Sequence, residues 1–344
     1  MATITEIARR AGVSTSTVSH VINRTRFVSD EMKARVAAAI DDLGGYQPNA
    51  VAQSLRSNTT HTIGMILPNN TNPFFAEIVR GVEDECFRRG YSLILCNSDD
   101  DPTRQARHLR VLISKRVDGL VILSSGIDGT FVRLLADSPI PLVMVDRETE
   151  AVAADLVQVD HEQGGYLAGR HLADLGHRRI ALISGPPDLP VNDRRQAGFR
   201  RALAEAGIGP DPRMVIHTEF TSRGGYESLL RLLEGGSVPT AVFADNDLMA
   251  IGVICAAREA GLSVPGDLSV VGFDDIALAA YTNPPLTTIC QPKHLIGTET
   301  ARLLAERIQE PDMPPKRRIM PPELCVRATT RAISGQGIGH PVAK

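Results

Sequence analysis

The chain of 344 residues has no tryptophan, and only 4% of it is aromatic. Hydrophobic residues still make up 43%, so sizeable cores must be built chiefly from aliphatic side chains. No apolar run reaches the roughly 20 residues that span a bilayer. The opening MATITEIARR lacks the apolar stretch of a signal peptide, so a cytoplasmic protein without membrane contact is expected. The five cysteines (Cys86, Cys96, Cys255, Cys290, Cys325) are odd in number and never spaced C-x-x-C. That argues against a disulfide frame or a zinc site and fits free thiols in a reducing compartment. No P-loop, G-x-S-x-G or H-E-x-x-H motif occurs. The nearest approach to a dinucleotide fingerprint, Gly335-Gln-Gly337-Ile-Gly339, lies in a C-terminal tail with no strand before it. No cofactor, metal or enzymatic centre is expected.

A net charge of −3 gives the whole chain no attraction to nucleic acid, but the charge is uneven. Residues 1–60 carry seven Lys and Arg against five Asp and Glu, and in residues 1–29 four Arg face Glu6 alone. A small basic end on an acidic body suits a DNA-reading head only if a motif supports it.

From His61 onward, apolar runs rich in β-branched residues alternate with helix-length amphipathic segments. The runs cover 60–67, 91–96, 118–124, 141–146, 179–184, 214–218, 240–244 and 268–273. Helices are expected over 74–89, 103–115, 193–206, 223–234 and 246–260, with Gly90, Gly207 and Gly261 as stops. Such alternation implies parallel sheets covered on both faces. The length suits two of them, with ligands at the carboxyl ends of the strands.

At the N-terminus, Thr3-x-x-Glu6 is a capping box for a first helix with Ile4, Ile7, Ala8 and Ala11 on one face. Gly12 ends it. Ser14 can cap a second helix, Thr15–Asn23, with Val18, Val21 and Ile22 inward. Ser29 can cap a third, from about Asp30 to Leu43, with Val36, Ile40 and Leu43 inward. Helix, glycine turn, helix is the helix-turn-helix plan, whose second helix presents its N-terminal side chains to the major groove. Here those are Thr15, Ser16, Thr17 and, one turn on, His20. Taken alone, the hydroxyls could instead be only helix caps.

The stretch ATITEIARRAGVSTSTVSHVINRTRFVSDEM resembles the DNA-binding head of the lactose/galactose repressor family, most of all its ribose- and purine-repressor branch. The likeness runs through PNAVAQSL and on to about residue 331. It implies base contacts from Thr15, Ser16 and His20 with Arg26 nearby, and a homodimer reading palindromic operator DNA. It also implies that PNAVAQSL is a hinge helix that folds only on DNA and wedges Leu55 between base pairs. Eight residues are indeed too few for a stable isolated helix, and apolar wedges kink DNA. An ordinary core contact is the plain alternative for Leu55. Gly44 and Gly45 stand where the family usually has one residue.

The body resembles periplasmic sugar-binding proteins, ribose-binding ones above all, at NPFF (72–75), NSDDDP (97–102), VDR (145–147), DRRQAGF (193–199), FADND (243–247), VGFDD (271–275) and TICQPKHLIG (288–297). The resemblance implies that Phe74, Phe75 and Phe220 sandwich a sugar ring. Asn72, Asp101, Asp146, Arg147, Arg195, Asn246, Asp274 and Gln291 would bond its hydroxyls. Carboxylates, amides and Arg suit hydroxyls, each both donor and acceptor. At Asp101 the binding-protein pattern has Asn. Singly, Asp146, Asp274 and Asn246 could be helix caps, and Phe74 and Phe75 core.

The expected architecture is an α/β chain with a helix-turn-helix head (1–47), a hinge (48–60), a two-lobed body (61–334) with two parallel doubly wound sheets, and a flexible tail (335–344). Lobe one takes about 61–161 and 292–322, and lobe two about 162–291 and 323–334. The tail has no Leu heptads, so no tetramerising coiled coil is expected. The expected function is transcriptional repression relieved by D-ribose or a related pentose; the alternative is a purine-responsive repressor with a nucleobase corepressor. The missing signal peptide and the DNA head argue against a transport protein, and the missing catalytic motifs against an enzyme.

Overall fold

A computed structural model describes residues 2–46, 59–123, 129–146, 152–187, 189–236 and 238–333. Leu55 with the hinge up to residue 58, Arg147, and the tail 335–344 lie outside the described residues. The chain divides into two compact units between Thr60 and His61.

Among the described residues the first unit has three helices, α1 (Ile4–Ala11), α2 (Thr15–Asn23) and α3 (Asp30–Asp42). The Thr3–Glu6 capping box forms, and Gly12 ends α1 at φ +63°, where a Cβ would be strained. Ser14 and Ser29 cap α2 and α3. Ile7, Ala8, Ala11, Val18, Val36 and Ala39 form the core, with Ile4, Val21, Ile22 and Ile40 against it. Leu43, expected inward, is 37% exposed because α3 ends before it. Arg35 adds a tertiary tie, donating to the carbonyls of Ala11 (2.6 Å) and Gly12 (3.2 Å).

The second unit holds two six-stranded sheets. The first contains β1 (Thr62–Leu67), β2 (Ser92–Asn97), β3 (Gly119–Ile122), β4 (Leu142–Val145), β5 (Asp155–Val159) and β11 (Arg317–Met320), in the order β11-β5-β4-β3-β1-β2, all parallel. The second contains β6 (Ile180–Ser184), β7 (Val215–His217), β8 (Ala241–Ala244), β9 (Ser269–Asp274), β10 (Thr287–Cys290) and β12 (Glu323–Cys325), in the order β12-β10-β9-β8-β6-β7. It is parallel except that β12 runs antiparallel to β10. The helices are α4 (Pro73–Arg88), α5 (Pro102–Ser114), α6 (Gly129–Ala136), α7 (His161–Asp174), α8 (Pro190–Glu205), α9 (Ser222–Glu234), α10 (Asp247–Glu259) and α11 (Lys293–Gln309). The chain passes between the sheets three times, after β5, after β10 and after β11.

Sequence periodicity missed β5, β10, β11 and β12. β11 and β12 are largely or partly exposed and carry no apolar run, while β5 and β10 are buried but partly polar. Asp155 in β5 is 1% exposed because Arg307 of α11 meets both its carboxylate oxygens at 2.9 Å. The cores are mostly aliphatic, although Phe131, Phe243 and Phe273 are fully buried. Helix pairs are cinched by reciprocal glycines: α7 with α8 through Gly165 and Gly198, α9 with α10 through Gly225 and Gly252, α4 with α11 through Gly81 and Gly297. Each would drive a Cβ to between 1.8 and 2.2 Å of a carbonyl on the facing helix.

Candidate functional site

In the first unit, α2 presents Thr15 and Ser16 to solvent, with Thr17 and His20 partly exposed. Thr17 also serves the cap, its hydroxyl 2.9 Å from that of Ser14. His20 Nδ1 lies 2.8 Å from Thr25 Oγ1, which fixes the ring, and Arg26 is exposed in the loop beyond. Two exposed hydroxyls at a helix N-terminus, a positioned imidazole and a free guanidinium can meet base edges and phosphates.

In the second unit, a cavity of about 650 Å³ opens between the two sheets at the carboxyl ends of their strands. That is within the ~300–1,000 Å³ of small-molecule sites. Asn72, Phe74, Phe75 and Asp146 line it from the first lobe, and Arg195, Phe220, Asn246 and Asp274 from the second. Phe74 and Phe75 begin α4 with their rings edge to face, 5.2 Å between centroids. Phe220 packs over Gly185, where a Cβ would fall 2.2 Å from its ring. Aromatic faces thus stand on both walls.

The polar groups sit where strands end. Asp146 follows β4 at φ +54° and Asp274 ends β9 at φ +112°. For a residue with a Cβ such conformations cost on the order of 1–3 kcal/mol each and persist only when the surroundings impose them. Asp146 Oδ1 accepts from the Val159 amide (3.2 Å) and faces His161 Nε2 (3.0 Å). Arg195 Nε donates to His161 Nδ1 (3.3 Å), its Nη1 donates to the Asp245 carbonyl, and its guanidinium lies 3.8 Å over the Phe273 ring. Asp274 Oδ1 accepts from Gln291 Nε2 (2.7 Å). Asp146 Oδ2, Asp274 Oδ2 and Arg195 Nη2 take no hydrogen bond among the described residues, leaving two acceptors and one donor for an occupant.

Burial pushes the Asp274 carboxyl up to about 7, with Asp146 adding to the rise and Arg195, Gln291 and Lys293 opposing it. Burial acts the same way on Asp146. There the hydrogen bond with His161, the Val159 amide and Arg195 outweigh it and hold the carboxyl below its ordinary range. Burial also lowers His161, and Arg195 and Arg194 lower it further against the pull of Asp146. We therefore take a neutral His161 between an ionised Asp146 and the Arg195 cation.

Several expected contacts are differently employed. Asp101 does not line the cavity. It precedes Pro102, is held extended, and caps α5 by accepting from the amides of Thr103 (2.7 Å) and Arg104 (3.4 Å). Its exposed neighbours Asp99 and Asp100, at φ +50° and +55°, form that wall instead. Gln291 is 1% exposed and stands behind Asp274 rather than on the wall. Asn72 and Asn246 line the cavity but also cap α4 and α10 through their Oδ1 atoms. Glu219 and Ser222 join the wall unanticipated, their one signal being proximity to Phe220. His161 gave no signal at all, because what marks it is its contact with two residues distant in sequence. Among the described residues no cluster could hold a metal ion, and no helix is long and apolar enough to cross a membrane.

Comparison with known proteins places this geometry. Residues 3–49 match the profile described as bacterial regulatory proteins, lacI family, and residues 170–330 match a periplasmic binding protein-like domain. The chain is similar to the transcriptional repressor PurR of Photobacterium profundum, 44% identical over 97% of this chain and 100% of that one. It is similar to the ribose operon repressor of Escherichia coli, 45% identical over 96% of this chain and 100% of that one. A crystal structure of a lacI-family regulator from Enterococcus faecium with bound ribose aligns at a TM-score of 0.71 and 36% identity, over 79% of this chain and 100% of that one.

Proposed function

Because the chain belongs to the lacI family of DNA-binding transcriptional repressors controlled by small molecules, we propose that its cleft binds D-ribose or a closely related pentose, which releases it from operator DNA. It is a repressor and not an enzyme. On this reading a homodimer acts in the cytoplasm on a palindromic operator. Thr15, Ser16, Thr17, His20 and Arg26 make contacts in and beside the major groove.

The observation that carries the sugar reading is the pairing of aromatic walls with carboxylates at both strand ends. Phe74, Phe75 and Phe220 offer apolar faces for a ring, and Asp146, Asp274 and Arg195 offer two acceptor oxygens and the Nη2 donor for hydroxyls. Among the described lining residues, Asp100, Asp146 and Glu219 set negative charge against the single cation Arg195, while Asp99 is paired with Arg104 and the Asp274 carboxyl is raised to about 7. That excess of negative charge favours a neutral polyol over a phosphorylated sugar or a nucleotide. The likeness to a ribose operon repressor and to a structure with bound ribose supports the same choice.

A nucleobase corepressor is the second reading, favoured by the 44% identity to PurR. Thermal-shift and gel-shift titrations with D-ribose, hypoxanthine and guanine separate the two. D-Ribose should raise the melting temperature and weaken operator binding. Stabilisation and tighter operator binding by a purine, with no response to any pentose, would reverse the conclusion.

A further inference from the structure

His161 is 2% exposed and does not line the cavity, yet it touches two candidate effector residues from opposite lobes. It is the first residue of α7, where the chain has just passed between the sheets after β5. The groups facing it are Asp146 beyond β4, Arg195 and Arg194 in α8, and Phe273 in β9, whose ring stacks at 6.1 Å and 27°. The Val159 amide shares the Asp146 oxygen that His161 meets.

The chemistry of the three groups decides where the ring proton sits. Arg195 Nε can only donate, so His161 Nδ1 must accept. The proton is then on Nε2, pointing at Asp146 Oδ1. A doubly protonated ring would have no acceptor for Arg195 and would set two cations side by side in a buried site.

We propose that His161 is a positioning residue of the effector site: as the neutral Nε2–H tautomer it ties the carboxylate of Asp146 on one lobe to the guanidinium of Arg195 on the other, and aims both into the cleft. The proposal rests on reading that cleft as the effector site. With Nε held by His161, Nη1 by the Asp245 carbonyl, and its plane laid on Phe273, Arg195 has Nη2 left to present. Asp146 is likewise pinned through Oδ1, which directs Oδ2 to an occupant. A relay of one donor and one acceptor lets a contact made on either lobe be felt by the other.

Two substitutions in the full-length chain test this. His161→Gln keeps an acceptor oxygen and an N–H donor at about the reach of the ring, and His161→Leu keeps bulk without either. His161→Leu should bind D-ribose at least about tenfold more weakly than the parent, and His161→Gln should recover to within about threefold. Equal affinity in all three proteins, or equal loss in both variants, overturns the proposal, since packing alone would then account for the residue. A second measurement needs no sugar: imidazole ¹⁵N shifts of His161 in the effector-free protein. The neutral Nε2–H form should persist below about pH 6.5, where an ordinary imidazole becomes charged. A proton on Nδ1 at neutral pH overturns the relay. If the parent protein binds no pentose, the effector reading fails, and the tautomer still decides whether His161 joins Asp146 to Arg195.

Discussion

The carbonyl oxygen of Arg195 occupies the space in which a side chain on Gly165 would begin, 1.9 Å from the ideal Cβ position. Across the same pair of helices, a Cβ on Gly198 would fall 1.8 Å from the carbonyl of Glu162. The two backbones therefore touch, and the turn of α8 that carries Arg195 is set directly against α7. Gly165→Ala must push them apart. Overpacking of this kind costs about 1–3 kcal/mol, and the shift displaces Arg195 from His161. Denaturant unfolding and calorimetric sugar titration should show lost stability together with weaker binding. A variant matching the parent in both would mean that the helix pair yields without moving the site.

Arg195 and Asp274 stand on the second-lobe wall with polar atoms open to the cleft. On the proposed pentose reading, replacing either with Ala would leave sugar hydroxyls unpaired, a loss of roughly 1–3 kcal/mol or more each. Arg195→Ala and Asp274→Ala should hold operator DNA at sugar concentrations that release the parent protein. Gel shifts across a D-ribose series measure this. Release at unchanged sugar concentration in both variants would remove these residues from the effector site.

The Asp274 carboxyl also links stability to pH. Burial raises it from its ordinary 3.8 to about 7, so between those values the folded chain binds more protons than the unfolded one. Its contribution is fully present below the ordinary value and is lost as pH rises through about 7. Asp274→Asn is neutral throughout. Without sugar, it should match the parent near pH 4 and exceed it at pH 8 by on the order of 1 kcal/mol or more. Melting temperatures across that range check the sign, which is wrong if the variant gains nothing at pH 8.

Leu55 lies outside the described residues, and we propose its role as a wedge from the resemblance of PNAVAQSL to a hinge helix. On DNA, paired hinges would fold and insert both Leu55 side chains. Unstacking a base step, a cost of a few kcal/mol, would be offset by contacts that the bend permits. Leu55→Gly should weaken specific operator binding and reduce bending. It should leave non-specific binding, which is mostly phosphate contact, and sugar affinity little changed. Operator affinity and bend angle measured side by side decide between a wedge and a passive linker, the latter being the answer if neither moves.

The sequence by itself determined what short-range physics controls. The capping box at Thr3–Glu6, the stop at Gly12 and the caps at Ser14 and Ser29 are contacts within a few residues, and all three helices of the head formed as those signals require. The continuous apolar strands β1, β3, β4, β8 and β9 were legible because burial on both faces leaves little room for polar side chains. Tertiary structure alone decided how polar residues were used. In NSDDDP, three adjacent aspartates look alike, yet Asp101 turns to two amides of its own helix while Asp99 and Asp100 face the cleft. Gln291 withdraws behind Asp274, and β5, paired with β4 and β11, can bury Asp155 because Arg307 arrives from α11 to neutralise it. His161 becomes part of the site only when Asp146 and Arg195 are brought to either side of it. A buried polar group is stable only with its partners in place, and in this chain those partners come from elements far apart in sequence.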